Sequence, residues 1–371
     1  MSKKMLIAAT IPDTVRLLMR GQIDWLSNHG YEIEVCTSSE GLSGLEGAKI
    51  LDSIRVHHFI DMTRDISIIK DFKALLHWIK LIRRLRPEFL IANTPKASLL
   101  SLIAGRICNV PKRIYILRGL RFETATGLSR FILRQMELIC VRSAHVVVAV
   151  SPSLAKLAVA EGFAPQKIRV IGQGSSNGVD ATRFHPSSPE TRRNIRSQHG
   201  YSDDDFVLGF VGRLTPDKGI NTLVEAVDLL IEKYPNIRLL TVGPSEGSKI
   251  DSPWALNLGA VEKPEDIYPI FDALVFPTRR EGFPNATLEA AACEIPVIAS
   301  NATGAIDSVV DGVTGFIANV DDSESFANKI EKLVTDRALG QTLGRNGRMR
   351  VLENFAPEMI WAGLDKIYQS M

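Results

Sequence analysis

Cysteine is scarce and scattered in this sequence: Cys36, Cys108, Cys140 and Cys293 are its only four. That argues against a disulfide scaffold and against the short Cys/His spacings of a zinc site, and it points to free thiols in a reducing compartment. Long apolar runs are missing too; none approaches the roughly 20 residues a spanning helix needs. The opening Met1–Thr10 has six apolar residues, too few for a secretory signal core, so the expectation is a cytoplasmic protein. Solenoid repeats, low-complexity segments and basic–aromatic interleaving are likewise lacking, and no nucleic-acid partner is expected.

What is present is length and an uneven charge. A chain of 371 residues most often forms two cores of about 150–200 residues each. The net charge of +2 conceals about +10 on residues 1–180 and about −8 on the rest. The basic half suits an anionic partner: nucleic acid, a membrane surface or a phosphorylated acceptor.

Short apolar runs alternate with longer amphipathic stretches: Met5–Ala9, Tyr31–Thr37, Phe89–Ala92, Arg113–Leu117, His145–Val150 and Ile168–Ile171. A second series follows the polar stretch Ser187–Asp205, at Phe206–Val211, Ile237–Val242, Asp272–Phe276, Ile295–Ala299 and Gly315–Ala318. This alternation predicts βαβ units and two doubly wound parallel-sheet α/β domains in tandem. Open sheets of this kind bind ligands beyond the carboxyl ends of their strands, so the residues just after each run are where chemistry is expected.

After Phe206–Val211 comes Gly212-Arg-Leu-Thr-Pro-Asp-Lys218-Gly219, running into an amphipathic stretch Thr222–Tyr234. Arg213 and Lys218 beside a helix start would suit a departing diphosphate. By itself the segment fits a solvated loop equally well. After Asp272–Phe276 come Glu281 and, eight residues on, Glu289, the first on a loop and the second in a helix. Gly282 permits close backbone approach, and the N–H groups of Asn285 and Ala286 open the helix. A carboxylate pair also serves metal sites and glycoside hydrolases, but no third acid or His stands close by in sequence, and no metal is expected.

Gly212-Arg-Leu-x-x-x-Lys218-Gly219, the E-x₇-E motif Glu281-Gly-Phe-Pro-x-x-x-x-Glu289-Ala, Ile295-Pro-Val-Ile-Ala and Asp311-Gly-x-x-Gly-Phe, taken in this order, resemble glycosyltransferase family 4. The resemblance implies the GT-B fold: two Rossmann-like domains facing an interdomain cleft, with an acceptor domain at 1–186 and a donor domain at 187–356. The closing segment 357–371 would pack back on the acceptor domain. It implies retaining, metal-independent transfer from a nucleotide-sugar co-substrate, with UDP expected and GDP the alternative, and no other cofactor. Arg213 and Lys218 would hold the diphosphate, Glu289 the ribose hydroxyls and Glu281 the transferred sugar. The backbone from Gly212 and from Gly282, Phe283, Pro284, Asn285 and Ala286 would line the donor.

In the first half, Thr63-Arg64-Asp65-Ile66-Ser67, Asn93-Thr94-Pro95-Lys96 and Leu117-Arg118-Gly119-Leu-Arg121 resemble a bacterial subgroup that builds capsule, O-antigen or exopolysaccharide on polyprenyl-diphosphate carriers. Arg64, Asn93, Lys96, Arg118 and Arg121 are then the acceptor-side candidates, with surface ion pairing as the bland alternative. Many family members have His where Asn93 and Arg118 stand. Arg118 cannot be a base at neutral pH, but it can hold phosphate or sugar hydroxyls. The stretch Lys70–Arg86 pairs an apolar stripe with a basic face and could lie on the inner face of an anionic membrane, although such stripes usually face a core. A sugar-nucleotide epimerase and a non-catalytic sugar- or lipid-binding module are the competing readings. If Lys218 holds the diphosphate, Lys218→Ala lowers turnover far more than Lys249→Ala in a steady-state assay.

Overall fold

The computed structural model describes residues 3–39, 57–62, 67–248 and 250–371. Arg64 and Lys249 lie outside these residues. The chain divides into two compact units, 1–177 with 357–371, and 178–356.

The first unit holds a parallel sheet of β1 (Lys3–Ala8), β2 (Tyr31–Thr37), β3 (His57–Phe59), β4 (Phe89–Asn93), β5 (Lys112–Leu117), β6 (Val146–Ala149) and β7 (Ile168–Arg169), in the order β3-β2-β1-β4-β5-β6-β7. The order reverses between β1 and β4, the switch point at which such sheets place their ligands. Its helices are α1 (Pro12–Leu18), α2 (Gln22–Asn28), α3 (Ile68–Leu85), α4 (Pro95–Ile107), α5 (Gly127–Ser143) and α6 (Pro152–Ala160). Strands covered on both faces read as continuous apolar runs, and Met5, Leu6, Ile7 and Ala8 of β1 are fully buried. Ser151 caps α6, its Oγ accepting from the Leu154 N–H at 3.3 Å.

The second unit repeats the plan with α7 (Pro189–Gln198), β8 (Phe206–Val211), α8 (Ile220–Ile231), β9 (Ile237–Val242), β10 (Ala255–Asn257), β11 (Ala273–Phe276), α9 (Asn285–Ala292), β12 (Val297–Ser300), β13 (Gly315–Ala318), α10 (Ser323–Thr335) and α11 (Arg337–Asn354). Its parallel sheet runs β10-β9-β8-β11-β12-β13, which sets β8 beside β11. Its core packs Leu208, Phe210, Leu223, Val275, Ile298, Phe326 and Ile330 between sheet and helices. The unit begins before the polar stretch Ser187–Asp205 because the chain is already anchored there. Arg183 donates to Glu265 at 2.6 Å, and Phe184 meets the Tyr268 ring edge-on at 5.5 Å.

The last helix, α12 (Pro357–Gln369), belongs to the first unit. Trp361 Nε1 donates to Asn177 Oδ1 at 2.7 Å, the Tyr31 hydroxyl donates to Asp365 at 2.6 Å, and Tyr368 packs against Tyr31 and Phe89. Trp361→Ala should therefore destabilise the first unit by about 3 kcal/mol, read as a lower urea midpoint for that unit's transition.

Candidate active site

In the second unit the carboxyl ends of β8 and β11 lie side by side, and the loop after each is pressed onto the other. Gly219 has φ +68°, and a Cβ there would fall 1.9 Å from the Pro277 carbonyl oxygen, so only glycine admits this approach. Lys218 is thereby set over the Phe276 ring, 5.3 Å from its centroid, and forms an ion pair with Glu281. The Thr278 hydroxyl is 3.2 Å from the same Glu281 oxygen and 3.1 Å from the Asp217 carbonyl. Arg280 pairs with Asp217, which laces the two loops again. The backbone at Glu281 is fixed from a third side: its N–H donates to the Thr303 carbonyl at 2.9 Å, and Gly304, at φ +77°, leaves room for the carbonyls of Glu281 and Gly282.

Arg213 sits on the same loop as Lys218, just past Gly212, whose N–H donates to the Val242 carbonyl at 2.8 Å. Arg213 is half-exposed and bonded to Glu246 at 2.7 Å, so its guanidinium turns to a surface partner and not to Glu281. After β11, Gly282, Phe283 and Pro284 are buried and lead into α9, where Asn285 and Ala286 form the first turn. No side chain caps this helix start, and the buried Asn285 Oδ1 has no hydrogen-bond partner among the described residues. Uncapped first-turn N–H groups with a partial positive charge attract anions and sugar oxygens. Further along α9, Glu289 accepts from the buried Tyr268 hydroxyl at 2.6 Å. Burial pushes the Glu289 carboxyl above the usual range, against the pull of that hydrogen bond and of the Arg183 charge.

The first unit has its own polar group at the carboxyl edge of β4 and β5. Arg118 Nε and Nη2 each lie 3.2 Å from Asn93 Oδ1, and Nη1 donates to the Ser176 carbonyl at 3.3 Å. Both partners are neutral, and burial draws the guanidinium down to about 10. The two positions at which the sequence departs from the family pattern are thus hydrogen-bonded to each other. Asn93 Nδ2 and Gln22 Oε1 are buried without partners among the described residues, and both residues line one small cavity with Arg118 and Tyr368. Lys96, buried at the start of α4, spends its charge on Asp71 of α3 at 2.8 Å. Arg121 is exposed in the short turn Arg121–Glu123.

Sequence reasoning missed the residues that prepare these groups. Thr278, Tyr268, Arg183 and Glu246 orient or balance Glu281, Glu289 and Arg213, yet nothing in their spacing marks them. Thr94 is a β-branched residue at φ +68°, held by Thr10, whose N–H and hydroxyl lie 2.9 and 2.7 Å from Thr94 Oγ1. That backbone costs about 1–3 kcal/mol, and such strain gathers at functional sites. The one visible signal was Thr-Pro directly after a strand.

The family described as "Glycosyl transferases group 1" matches residues 191–350, and the one described as "Glycosyl transferase 4-like domain" matches residues 15–174. Staphylococcus aureus CapM, a capsular polysaccharide biosynthesis glycosyltransferase, is 38% identical over 95% of this chain and 93% of its own. An Escherichia coli UDP-Gal:α-D-GlcNAc-diphosphoundecaprenol α-1,3-galactosyltransferase is 26% identical over 90% of this chain and 88% of its own. The crystal structure of Anabaena HepE with UDP and glucose superposes with a TM-score of 0.82 at 19% identity, covering 100% of both chains, which shows the shared fold.

The Glu289 environment makes a pH-dependent expectation. With its carboxyl raised in the folded state, the native protein binds more protons than the unfolded chain between the ordinary and the raised values, so stability falls as pH rises through that window. Glu289→Gln removes the cost: it should raise the melting temperature near neutrality, with the gain vanishing below about pH 4, the ordinary carboxyl range.

Proposed function

The chain belongs to the group 1 glycosyltransferases of family 4, with the GT-B fold, in surface-polysaccharide biosynthesis, and on that premise we propose a specific reaction for it. It moves a hexose from a UDP-sugar to a polyprenyl-diphosphate-linked glycan, retaining the anomeric configuration and using no metal ion. The Escherichia coli relative's named donor and lipid-diphosphate acceptor support this choice of substrates.

The observation that carries the reading is the Lys218–Glu281 pair at the adjoining carboxyl edges of β8 and β11. An arriving diphosphate competes for Lys218 and releases Glu281 to accept hydrogen bonds from the sugar hydroxyls. Arg213 exchanges Glu246 for the same diphosphate. Gly212 and the backbone from Gly282 through Phe283 and Pro284 to Asn285 and Ala286 then border the phosphates and the sugar. Glu289 takes the ribose hydroxyls.

As the bond between the anomeric carbon and the phosphate oxygen lengthens, its electron pair moves to the phosphate and the sugar becomes oxocarbenium-like. Arg213, Lys218 and the start of α9 stabilise the charge gained by the leaving group; the acceptor hydroxyl oxygen bonds to the anomeric carbon from the face the phosphate leaves, and its proton passes to that phosphate oxygen. No side-chain nucleophile is needed. On the acceptor side Arg118, with only neutral partners, is the cation best placed to hold phosphate or sugar hydroxyls, oriented by Asn93. Lys96 serves as a positioning residue through Asp71, and Arg121 and Arg64 are the remaining acceptor cations.

With a UDP-sugar and a short-chain polyprenyl-diphosphate-linked acceptor, UDP release should depend on acceptor and fall about 100-fold in Lys218→Ala. In Lys233→Ala, whose exposed amine pairs with Glu331, it should stay unchanged. UDP should raise the melting temperature more than GDP or ADP does. Acceptor-independent formation of an epimerised nucleotide sugar would overturn transfer, and a larger shift with GDP would overturn the choice of nucleotide.

A further inference from the structure

We propose that the outer faces of α3 and α5, at the ends where these helices begin, form a docking surface for an anionic lipid bilayer. The inference deepens the reading of a lipid-linked acceptor and rests on it for its purpose.

The placement follows from the topology. Helices α3, α4 and α5 precede β4, β5 and β6 in turn and run back towards the amino edge of a parallel sheet, so all three begin at its carboxyl edge. α4 packs against both α3 and α5, which makes the three one layer on one face of the sheet. The outward stripe of α3 is Ile69, Phe72, Lys73, Leu76, Lys80 and Arg83, while Ala74, Trp78, Leu81 and Ile82 face the core. The outward stripe of α5 starts with Leu128, Phe131 and Ile132.

The apolar part of these stripes is large and unusually open. Ile69 is 73% exposed, Phe72 60%, Leu128 72% and Phe131 59%, with Leu76 and Ile132 beside them. Single exposed apolar residues are ordinary, but six on the two helices that flank α4, at one end of a layer, mark an interaction surface. The core does not need these positions, since α3 already buries Trp78 and Leu81.

Charge decides between a bilayer and a protein partner. Lys70 and Lys73 lie among the apolar side chains, and Lys80, Arg83 and Arg84 continue the face away from them, all exposed. The one acid of α3, Asp71, turns inward to Lys96, and the one acid of α5, Glu137, is buried against the Tyr115 hydroxyl. Protein interface cores are depleted in lysine, whereas a bilayer surface takes phenyl and branched aliphatic groups at the headgroup boundary with lysines among the lipid phosphates.

The test is co-sedimentation with phosphatidylcholine vesicles, with and without phosphatidylglycerol, at low salt and without donor or acceptor. The protein should pellet with the phosphatidylglycerol vesicles and be released by salt. Phe72→Gln/Phe131→Gln should lower the bound fraction at least about tenfold, and Lys73→Glu/Lys80→Glu should abolish the preference for phosphatidylglycerol. Both variants should keep the parent melting temperature and the UDP-induced shift, so loss of vesicle binding reads the surface and not the fold or the donor site. Three results would overturn the inference: no pelleting of the parent protein, undiminished pelleting of Phe72→Gln/Phe131→Gln, or a parent dimer in sedimentation velocity that this variant abolishes. Vesicle binding without transfer to the lipid-linked acceptor would sink the proposed reaction and leave the docking surface standing.

Discussion

The second unit's site depends on one close approach: the carbonyl of Pro277 occupies the space that any side chain at position 219 would need. That contact brings the loop after β8 against the loop after β11, and only then can Lys218 reach Glu281 while lying over Phe276. Largely buried ion pairs of this kind add little to stability, because desolvation consumes most of the attraction. Their value here lies in readiness. Each charge holds the other in position until a ligand of matching chemistry replaces one partner, and the lacing by Thr278, Asp217 and Arg280 limits how far either can relax.

The two units share an architecture but treat charge differently at their carboxyl edges. In the second, cations and carboxylates neutralise one another, Lys218 with Glu281 and Arg213 with Glu246, and Glu289 alone is burdened by burial. In the first, among the described residues, Arg118 has only an amide oxygen and a main-chain carbonyl, and an unpartnered Asn93 nitrogen and Gln22 oxygen border the same cavity. One edge is internally balanced; the other carries an uncompensated positive charge that burial makes costly. The division agrees with the basic first half and acidic second half of the chain.

Much of the fold was legible in the sequence because parallel strands buried on both faces leave continuous apolar runs. Phe206–Val211, Ile237–Val242 and Gly315–Ala318 coincide with β8, β9 and β13. The short β10 (Ala255–Asn257) escaped notice because it is a partly exposed edge strand with no such run. Arg213, Lys218 and Glu281 stood out for a similar reason, since each lies on the loop directly after a strand. The residues that orient them were not: Tyr268 reaches Glu289 across 21 positions and Glu246 reaches Arg213 across 33, and periodicity carries no record of such pairings. The basic amphipathic pattern of α3 was visible, but the split into a core-facing half and an open half required the neighbouring helices.

The placement of α12 bears on how the protein is made. The first unit combines residues 1–177 with the helix α12, with Trp361 on Asn177 and Asp365 on the Tyr31 hydroxyl, whereas the second is the continuous segment 178–356. A ribosome delivering the chain from its amino end supplies the whole of 178–356 before it supplies α12 of the earlier unit. The contacts of Tyr368 with Tyr31 and Phe89 can therefore form only after residues 178–356 have been synthesised.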